Sequence, residues 1–178
     1  MADEQAWLRA ETGGTKRAFV INKPDVLTAL VKKANHPLII AGHEVTAPGP
    51  VGDTLIACIR DLSARSIQVV ATAHTIHELK KRDISPVVAM GVMDIVQRLC
   101  DPDWKGFSDT GSYDLVLIAG ISYSLCSVVL SGLKNGTPKT VTLTLDPRYH
   151  PNATWSMPNM KGTTWEELLH TACRTLAE

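Results

Sequence analysis

Two stretches of this chain are wholly apolar and stop at the same dipeptide, Ala-Gly. One spans residues 38–42 (LIIAG) and the other residues 115–120 (LVLIAG). An uninterrupted apolar run of this length is typical of a β-strand buried on both faces, and such strands belong to parallel sheets covered by helices. Gly42 and Gly120 then permit a tight turn, or close approach of a bound group, at the carboxyl end of each strand. Ligands of open α/β sheets bind at that edge.

The rest of the chain alternates between strand and helix patterns. Strands are predicted at residues 38–41, 67–72, 85–90, 114–119, 140–145 and 153–157. Helices are predicted from Pro24, at 50–64, 74–82 and 92–99, from Ser122, and from a capping box that joins Thr163 to Glu166. Asn135-Gly136 is expected to end the Ser122 helix as a left-handed cap.

This alternation predicts one α/β domain of Rossmann-like, three-layer architecture, with about six parallel strands and helices on both faces. The two Ala-Gly strands are expected side by side, where the strand order reverses. TVTLTL (140–145) alternates strictly, so one of its faces is expected to be more polar. The domain is placed at residues 22–178. Residues 1–21 are interpreted as an N-terminal arm whose apolar end, AFVI (18–21), packs on the domain or on a partner.

Composition excludes several classes of protein. The chain has 18 Lys+Arg and 18 Asp+Glu, so its zero net charge gives no electrostatic case for nucleic acid or an anionic membrane. No apolar run approaches the ~20 residues that span a bilayer, and the N-terminus has no targeting pattern, so a cytoplasmic location is expected. The four cysteines are far apart and are interpreted as buried free thiols, with no disulfide framework or iron–sulfur cluster.

The strand-end crevice is the first candidate site. Its walls are formed by residues that follow three strands: Gly42, His43 and Glu44; Gly120, Ile121, Ser122 and Tyr123; and Asp146 with the loop behind it. His43 and His150 both fall at the edge of this crevice. The helix that starts at Ser122 would attract a phosphate or carboxylate to its free N–H groups. A nucleotide or flavin site is one interpretation, and tight turns with a simple helix cap are the other. A glycine-rich NAD site is disfavoured, because G-x-G-x-x-G is absent and no acidic residue follows Ala71-Thr72.

No catalytic or metal-binding residue is assigned. His43 and Glu44 are one weak candidate pair for proton transfer. HTIHE (74–78) is not the H-E-x-x-H zinc motif, and a solvated helix face is the better interpretation. AGISYS is not a G-x-S-x-G nucleophile elbow.

Two loops are candidates for a partner interface. LDPRYHPNATWSMPN (145–159) is rich in proline, and DPDWKGF (101–107) carries aromatic residues in a polar setting. Rigid loops with Arg, Tyr and Trp are typical of interaction surfaces. The alternative for residues 145–159 is a structural loop packed on the sheet edge, and the alternative for Trp104 and Phe107 is that they are satellite core residues. The interface residues proposed from these loops are Trp104, Phe107, Arg148, Tyr149, His150 and Trp155.

Four segments together resemble a known family. They are NKPDVLTALVKKANHPLIIAG (22–42), DPDWKGF (101–107), YDLVLIAGISYSL (113–125) and DPRYHPNATWSMPN (146–159). They are similar to the epsilon subunit of the acetyl-CoA decarbonylase/synthase complex, the small subunit of the archaeal carbon monoxide dehydrogenase component. No catalytic residue of a family motif maps onto this sequence.

The resemblance implies a sheet of the deoxyhypusine-synthase-like NAD/FAD-binding type. It also implies a partner, the large (alpha) dehydrogenase subunit with its nickel–iron–sulfur chemistry, in an assembly of two large and two small subunits. The implied setting is anaerobic one-carbon metabolism in methanogenic archaea and their relatives. The implied role is to stabilise the dehydrogenase, or to help electrons reach FAD.

Three functional hypotheses follow. The first is a non-catalytic accessory subunit. The second is a flavin- or nucleotide-binding electron-transfer module. The third, more distant, is an independent small hydrolase or transferase that uses His43 and Glu44.

Overall fold

The computed structural model describes residues 17–109 and 111–177. Seven parallel strands form one sheet: β1 (Phe19–Val20), β2 (Pro37–Ala41), β3 (Gln68–Ala71), β4 (Val87–Ala89), β5 (Leu115–Ala119), β6 (Val141–Thr144) and β7 (Trp155–Ser156). Their order across the sheet is β1-β7-β6-β5-β2-β3-β4. The helices are α1 (Pro24–Lys33), α2 (Pro50–Ser63), α3 (Ala73–Lys81), α4 (Val92–Cys100), α5 (Tyr123–Gly136) and α6 (Gly162–Ala177).

The two Ala-Gly strands lie at the centre of this sheet. They pair in register from Pro37 opposite Leu115 to Ala41 opposite Ala119. From β2 the chain proceeds outward through β3 to β4, and from β5 it proceeds the other way through β6 to β7. The strand order therefore reverses between β2 and β5, as predicted, and the central position explains why both runs are wholly apolar.

Two apolar cores sandwich the sheet. On one face, Ile39 and Leu117 pack against α1, α2, α3 and α6. On the other face, Leu38 and Val116 pack against α4 and α5. The alternation of side chains along each strand sends successive residues to opposite cores. Each central strand is thus covered on both sides, which is the three-layer arrangement expected of an α/β domain.

The segment between β6 and β7 covers part of the sheet without forming a helix. Tyr149 is fully buried there, and its hydroxyl donates to the carbonyl of Ala18, 3.0 Å away. The β6 face beneath this segment carries Thr142 and Thr144, in agreement with the strict alternation of the sequence. Thr144 donates to the hydroxyl of Ser156 at 2.9 Å, which satisfies a polar group that would otherwise be buried at a cost.

The described part of the N-terminal arm belongs to the sheet. Phe19–Val20 pairs with β7 as an edge strand, which makes seven strands where about six were predicted. Ala18 and Ile21 on either side are buried. Residues 1–16 of the predicted arm lie outside the described residues.

Two predicted helix caps are wrong. Gly136 is the last residue of α5, the C-cap is Thr137, and the backbone of Gly136 does not take the left-handed conformation. A Cβ at this position would lie 2.4 Å from the Cys100 sulfur, so Gly136 is explained by the close approach of α4 to α5. At the other end of the chain, α6 already begins at Gly162, so Thr163 lies within the helix and is not its N-cap.

All four cysteines are free thiols, as predicted. Cys58 of α2 and Cys173 of α6 are buried with their sulfur atoms 3.0 Å apart. The hydrogen bond to Cys173, together with burial, raises the pKa of the Cys58 thiol well above its usual range. His74 and His77 are exposed on α3, in agreement with a solvated helix face. Among the described residues, no helix is both long and apolar enough to cross a membrane.

Candidate functional site

Backbone hydrogen bonds join the turns that follow β2 and β5 at the carboxyl edge of the sheet. The Gly42 N–H donates to the Ala119 carbonyl at 2.8 Å, and the Glu44 N–H donates to the Gly120 carbonyl at 2.9 Å. A Cβ on Gly42 would lie 2.2 Å from the Gly120 oxygen. Gly120 has a φ of +62°, and a Cβ on it would lie 2.5 Å from the Val45 nitrogen. Each glycine is thus required by the turn that faces it.

Asp146 joins the third strand end to this contact. It lies beyond the end of β6, and its carboxylate accepts the Gly120 N–H at 3.0 Å to one oxygen and 3.3 Å to the other. The carboxylate is only 7% exposed. One buried side chain therefore fixes the turn after β5 from the neighbouring strand.

These residues do not fit a dinucleotide pyrophosphate at the Gly42–Gly120 contact. The three N–H groups there, of Gly42, Glu44 and Gly120, already donate to protein oxygens. An ionised Asp146 beside Gly120 would also repel a phosphate. The position in the sheet matches a nucleotide site, but the backbone donors at the Gly42–Gly120 contact are in use.

A pocket of about 190 Å³ opens beside this contact. It is lined by Glu44, Val51, Ile121, Tyr123, Asp146, Pro147, Arg148 and His150. The Tyr123 ring stacks on the His150 imidazole with centroids 4.4 Å apart, and the Tyr123 hydroxyl donates to the Tyr149 carbonyl at 3.3 Å. His150 is 2% exposed, and its Nδ1 has no hydrogen-bond partner among the described residues.

Burial shifts the two most enclosed titratable groups of the pocket towards their neutral forms. It raises the pKa of Asp146 to about 7; the hydrogen bond from Gly120 and the positive charge of Arg148 oppose this rise, and the nearby Glu44 carboxylate adds to it. Burial also lowers the pKa of His150 to about 4, and the positive charge of Arg148 contributes. At neutral pH His150 is therefore an uncharged imidazole, and Asp146 is close to its midpoint.

The structure brings most of the predicted crevice together. Gly42 and Gly120 form the contact beside the pocket, and four other predicted residues line the pocket itself: Glu44, Ile121, Tyr123 and Asp146. Ser122 occupies the N-cap position of α5 but makes no capping hydrogen bond with its side chain. His43 is exposed and does not line the pocket, so the pairing of His43 with Glu44 for proton transfer gains no support.

The six residues predicted as a partner interface do not form one surface. Trp104 and Phe107 are half-buried and pack at the opposite edge, where Trp104 lies 5.7 Å from Tyr113 between ring centroids. Trp155 in β7 packs against Phe19. Arg148 is exposed beside the pocket.

Tyr149 and His150 are buried within this chain, which corrects the expectation that the whole proline-rich loop is an exposed surface. Two backbone N–H groups of the folded-back loop are satisfied by side chains of this chain: the Tyr149 N–H donates to Asn159 and the His150 N–H donates to Ser156, both at 2.9 Å.

Pro147 lies in the loop behind Asp146 that was expected to form the third wall, whereas Val51 is a pocket residue that the sequence did not reveal. Val51 is the second residue of α2, and a helix that follows a parallel strand begins at the carboxyl edge of the sheet. Val51 could have been predicted at this edge from that rule. Within the described residues, no group of three His, Cys, Asp or Glu side chains is placed to hold a metal ion.

Comparison with known proteins identifies the family. A family model described as CO dehydrogenase beta subunit/acetyl-CoA synthase epsilon subunit matches residues 4–171. The chain belongs to this family. It is 33% identical over 159 residues to the acetyl-CoA decarbonylase/synthase complex subunit epsilon of Methanothermobacter thermautotrophicus, covering 89% of this chain and 88% of the relative.

Two further members of the family have the same name. The subunit epsilon of Methanothrix soehngenii is 31% identical, with 77% of this chain and 72% of the relative covered. The subunit epsilon 1 of Archaeoglobus fulgidus is 30% identical, with 78% and 73% covered. The resemblance inferred from the sequence is thereby confirmed, and it extends over most of the chain.

Replacement of Asp146 by Asn tests the electrostatics of the site. The unfolded Asp loses its proton near pH 4 and the folded one near pH 7, so wild-type stability falls as the pH rises through this window. The carboxylate costs on the order of 4 kcal/mol above pH 7, and asparagine removes this cost while it still accepts the Gly120 N–H. In urea unfolding, Asp146→Asn should match wild type near pH 4 and exceed it by a few kcal/mol at pH 8.

The exposed Asp103→Asn is the matched control, since it changes the same charge at the surface. Its free energy of unfolding should stay close to wild type at both pH values. If Asp146→Asn changed the free energy of unfolding by the same amount at pH 4 and pH 8, ionisation of the buried Asp146 would not be destabilising, which would contradict the prediction.

Proposed function

We propose that this chain is a non-catalytic accessory subunit that binds the large (alpha) subunit of the carbon monoxide dehydrogenase component. The observation that carries the proposal is the family match over residues 4–171, together with relatives named as epsilon subunits of the acetyl-CoA decarbonylase/synthase complex. In this proposal the large subunit holds the nickel–iron–sulfur and iron–sulfur clusters. Two large and two small subunits assemble, and the small subunit stabilises the large one during reversible acetyl-CoA cleavage and CO oxidation.

The setting and the fold type belong to the same proposal. We place the complex in the cytoplasm of anaerobic archaea, in the one-carbon metabolism of methanogens and their relatives. We also assign the domain to the deoxyhypusine-synthase-like NAD/FAD-binding type. The parallel order of its seven strands and the reversal between β2 and β5 support that assignment.

Exposed apolar side chains support a protein partner at the carboxyl edge. Among the described residues, five large apolar side chains are exposed: Phe19, Val51, Met93, Leu125 and Val128. Val51 and Met93 are the second residues of α2 and α4, and Leu125 is the third residue of α5. These helices follow strands of a parallel sheet, so all three side chains lie at the edge that carries the pocket. Large apolar side chains exposed along one edge of a domain favour a protein partner there.

Co-expression with the large subunit of the same organism tests this function. The two chains should co-purify as a hetero-oligomer. The half-life of CO oxidation activity on heating should be several-fold longer for the complex than for the large subunit alone, because a bound partner stabilises the native state. A large subunit that does not retain this chain, and is equally stable without it, would contradict the proposal.

The second candidate function is a flavin-binding electron-transfer module. The position of the Gly42–Gly120 contact, at the switch point of a parallel sheet, favours it. The occupied N–H groups and the small volume of the pocket oppose it, since sites for ligands of this size usually enclose about 300–1,000 Å³. The accessory role is therefore the preferred interpretation.

Titration with FAD separates the two functions. We expect the flavin absorbance and fluorescence to be unchanged by the isolated chain, because no N–H group at the Gly42–Gly120 contact is available for the pyrophosphate. The co-purified complex, freed of endogenous flavin, is titrated in parallel. Quenched flavin fluorescence with the isolated chain, lost in Gly42→Ala, would favour the electron-transfer module instead.

A further inference from the structure

We propose that the pocket at the carboxyl edge receives a basic side chain, lysine or arginine, of the large subunit. This inference rests on the proposed function, because it requires that subunit as the partner. It adds the location of the docking face and the chemistry by which that face recognises its partner.

The pocket wall combines several hydrogen-bond acceptors with one charged donor group, the Arg148 guanidinium. Two carboxylates, of Glu44 and Asp146, lie in its wall. The neutral His150 imidazole is 2% exposed and has an Nδ1 without a partner among the described residues, so the ring has unused hydrogen-bonding capacity. An ammonium or guanidinium group donates in several directions and accepts in none, which complements such a wall.

The charge of the pocket is not balanced within this chain. Across residues 17–109 and 111–177, the side-chain ion pairs join Arg60 to Asp61, and Glu78 to both Lys81 and Arg82. Glu44 and Asp146 take part in none of them. Arg148 is the basic residue of the lining, but it is exposed and lies beyond ion-pair distance of both carboxylates. With both carboxylates ionised, the lining carries two negative charges and one positive charge.

Burial makes the missing cation energetically important. A carboxylate that loses water without gaining a close counter-ion is destabilised. The charge of Arg148 lowers the pKa of Asp146, but burial outweighs it and the pKa stays raised. A partner cation inserted beside Asp146 would recover that energy only in the complex. Paired charges that become fully desolvated at the centre of an interface are often its strongest contacts.

The size and the surroundings of the pocket fit an inserted side chain. A volume of about 190 Å³ accommodates the end of one lysine or arginine side chain but not a dinucleotide. Val51, which is 42% exposed, lines the same pocket and belongs to the apolar group at this edge. An apolar surround that excludes water from a central polar contact is the usual organisation of an interface hot spot.

Glu44→Gln is the most direct test, because the glutamate side chain makes no hydrogen bond or ion pair with any residue that the structure describes. The change should weaken binding of the purified chain to the large subunit by at least about tenfold, measured as Kd at pH 7.5. The exposed Glu167→Gln on α6 is the matched control and should bind like wild type. Equal affinity for wild type and both variants would overturn the pocket proposal while leaving the accessory function intact. Failure of wild type itself to bind would overturn the function.

Asp146→Asn is a second variant, chosen because unfolding of the variant would not explain a loss of binding. It is expected to stabilise the isolated chain at pH 8, yet it should weaken binding to the large subunit. Wild-type affinity should rise between pH 6 and pH 8 as Asp146 ionises, and the variant should lose this rise. Unchanged affinity with the same pH profile would contradict the inserted cation.

Butylammonium chloride identifies the source of the cation. It should compete with the large subunit for wild type and fail to compete for Glu44→Gln, with sodium chloride at equal ionic strength as the control. If butylammonium bound in the pocket but did not compete with the large subunit, the pocket would be a site for a free amine. That result would overturn the proposal that a side chain of the partner occupies it.

Discussion

The hydrogen bond from the Gly120 N–H to the buried Asp146 carboxylate is the contact on which this edge of the molecule depends. It ties the turn after β5 to the end of β6, while Gly42 and Glu44 tie the same turn to the end of β2. Three adjacent strand ends are thus held by a few short backbone contacts and one ionisable side chain. Because the carboxylate satisfies a backbone donor at the cost of its own solvation, stability and charge are coupled at this point.

The same contact gives the glycines of the paired Ala-Gly strands a structural role in place of ligand binding. In a nucleotide-binding sheet, glycines at this edge allow a phosphate to approach the backbone. Here Gly42 and Gly120 allow two turns of the protein to approach each other, and the Asp146 carboxylate takes the donor that a phosphate would use. The edge is left with a small acceptor-rich pocket and a group of exposed apolar side chains. Such a surface suits a protein partner better than a dinucleotide, in keeping with a family named for a subunit of a larger complex.

Sequence patterns predicted the features that depend on local periodicity. The runs that became β2 and β5 are apolar throughout because both of their faces are covered, and their pairing followed from the alternation of strands and helices. Features that depend on distant contacts were missed. β1 is two residues long, and it is held by β7 and by the Tyr149 hydroxyl, more than 130 residues away along the chain. Gly136 has the sequence context of a helix cap, but the glycine is needed where α4 approaches α5. The burial of Tyr149 could not be predicted because a loop, with no helical period, covers that part of the sheet.

Hydrogen–deuterium exchange of the chain, free and bound to the large subunit, tests the central claim most directly. If the carboxyl edge is the docking face, amides of residues 43–52, 121–128 and 146–151 should exchange more slowly in the complex. Residues 101–107, at the opposite edge, should exchange equally in both states. Protection confined to residues 101–107, with no change around Glu44 and Asp146, would contradict this account.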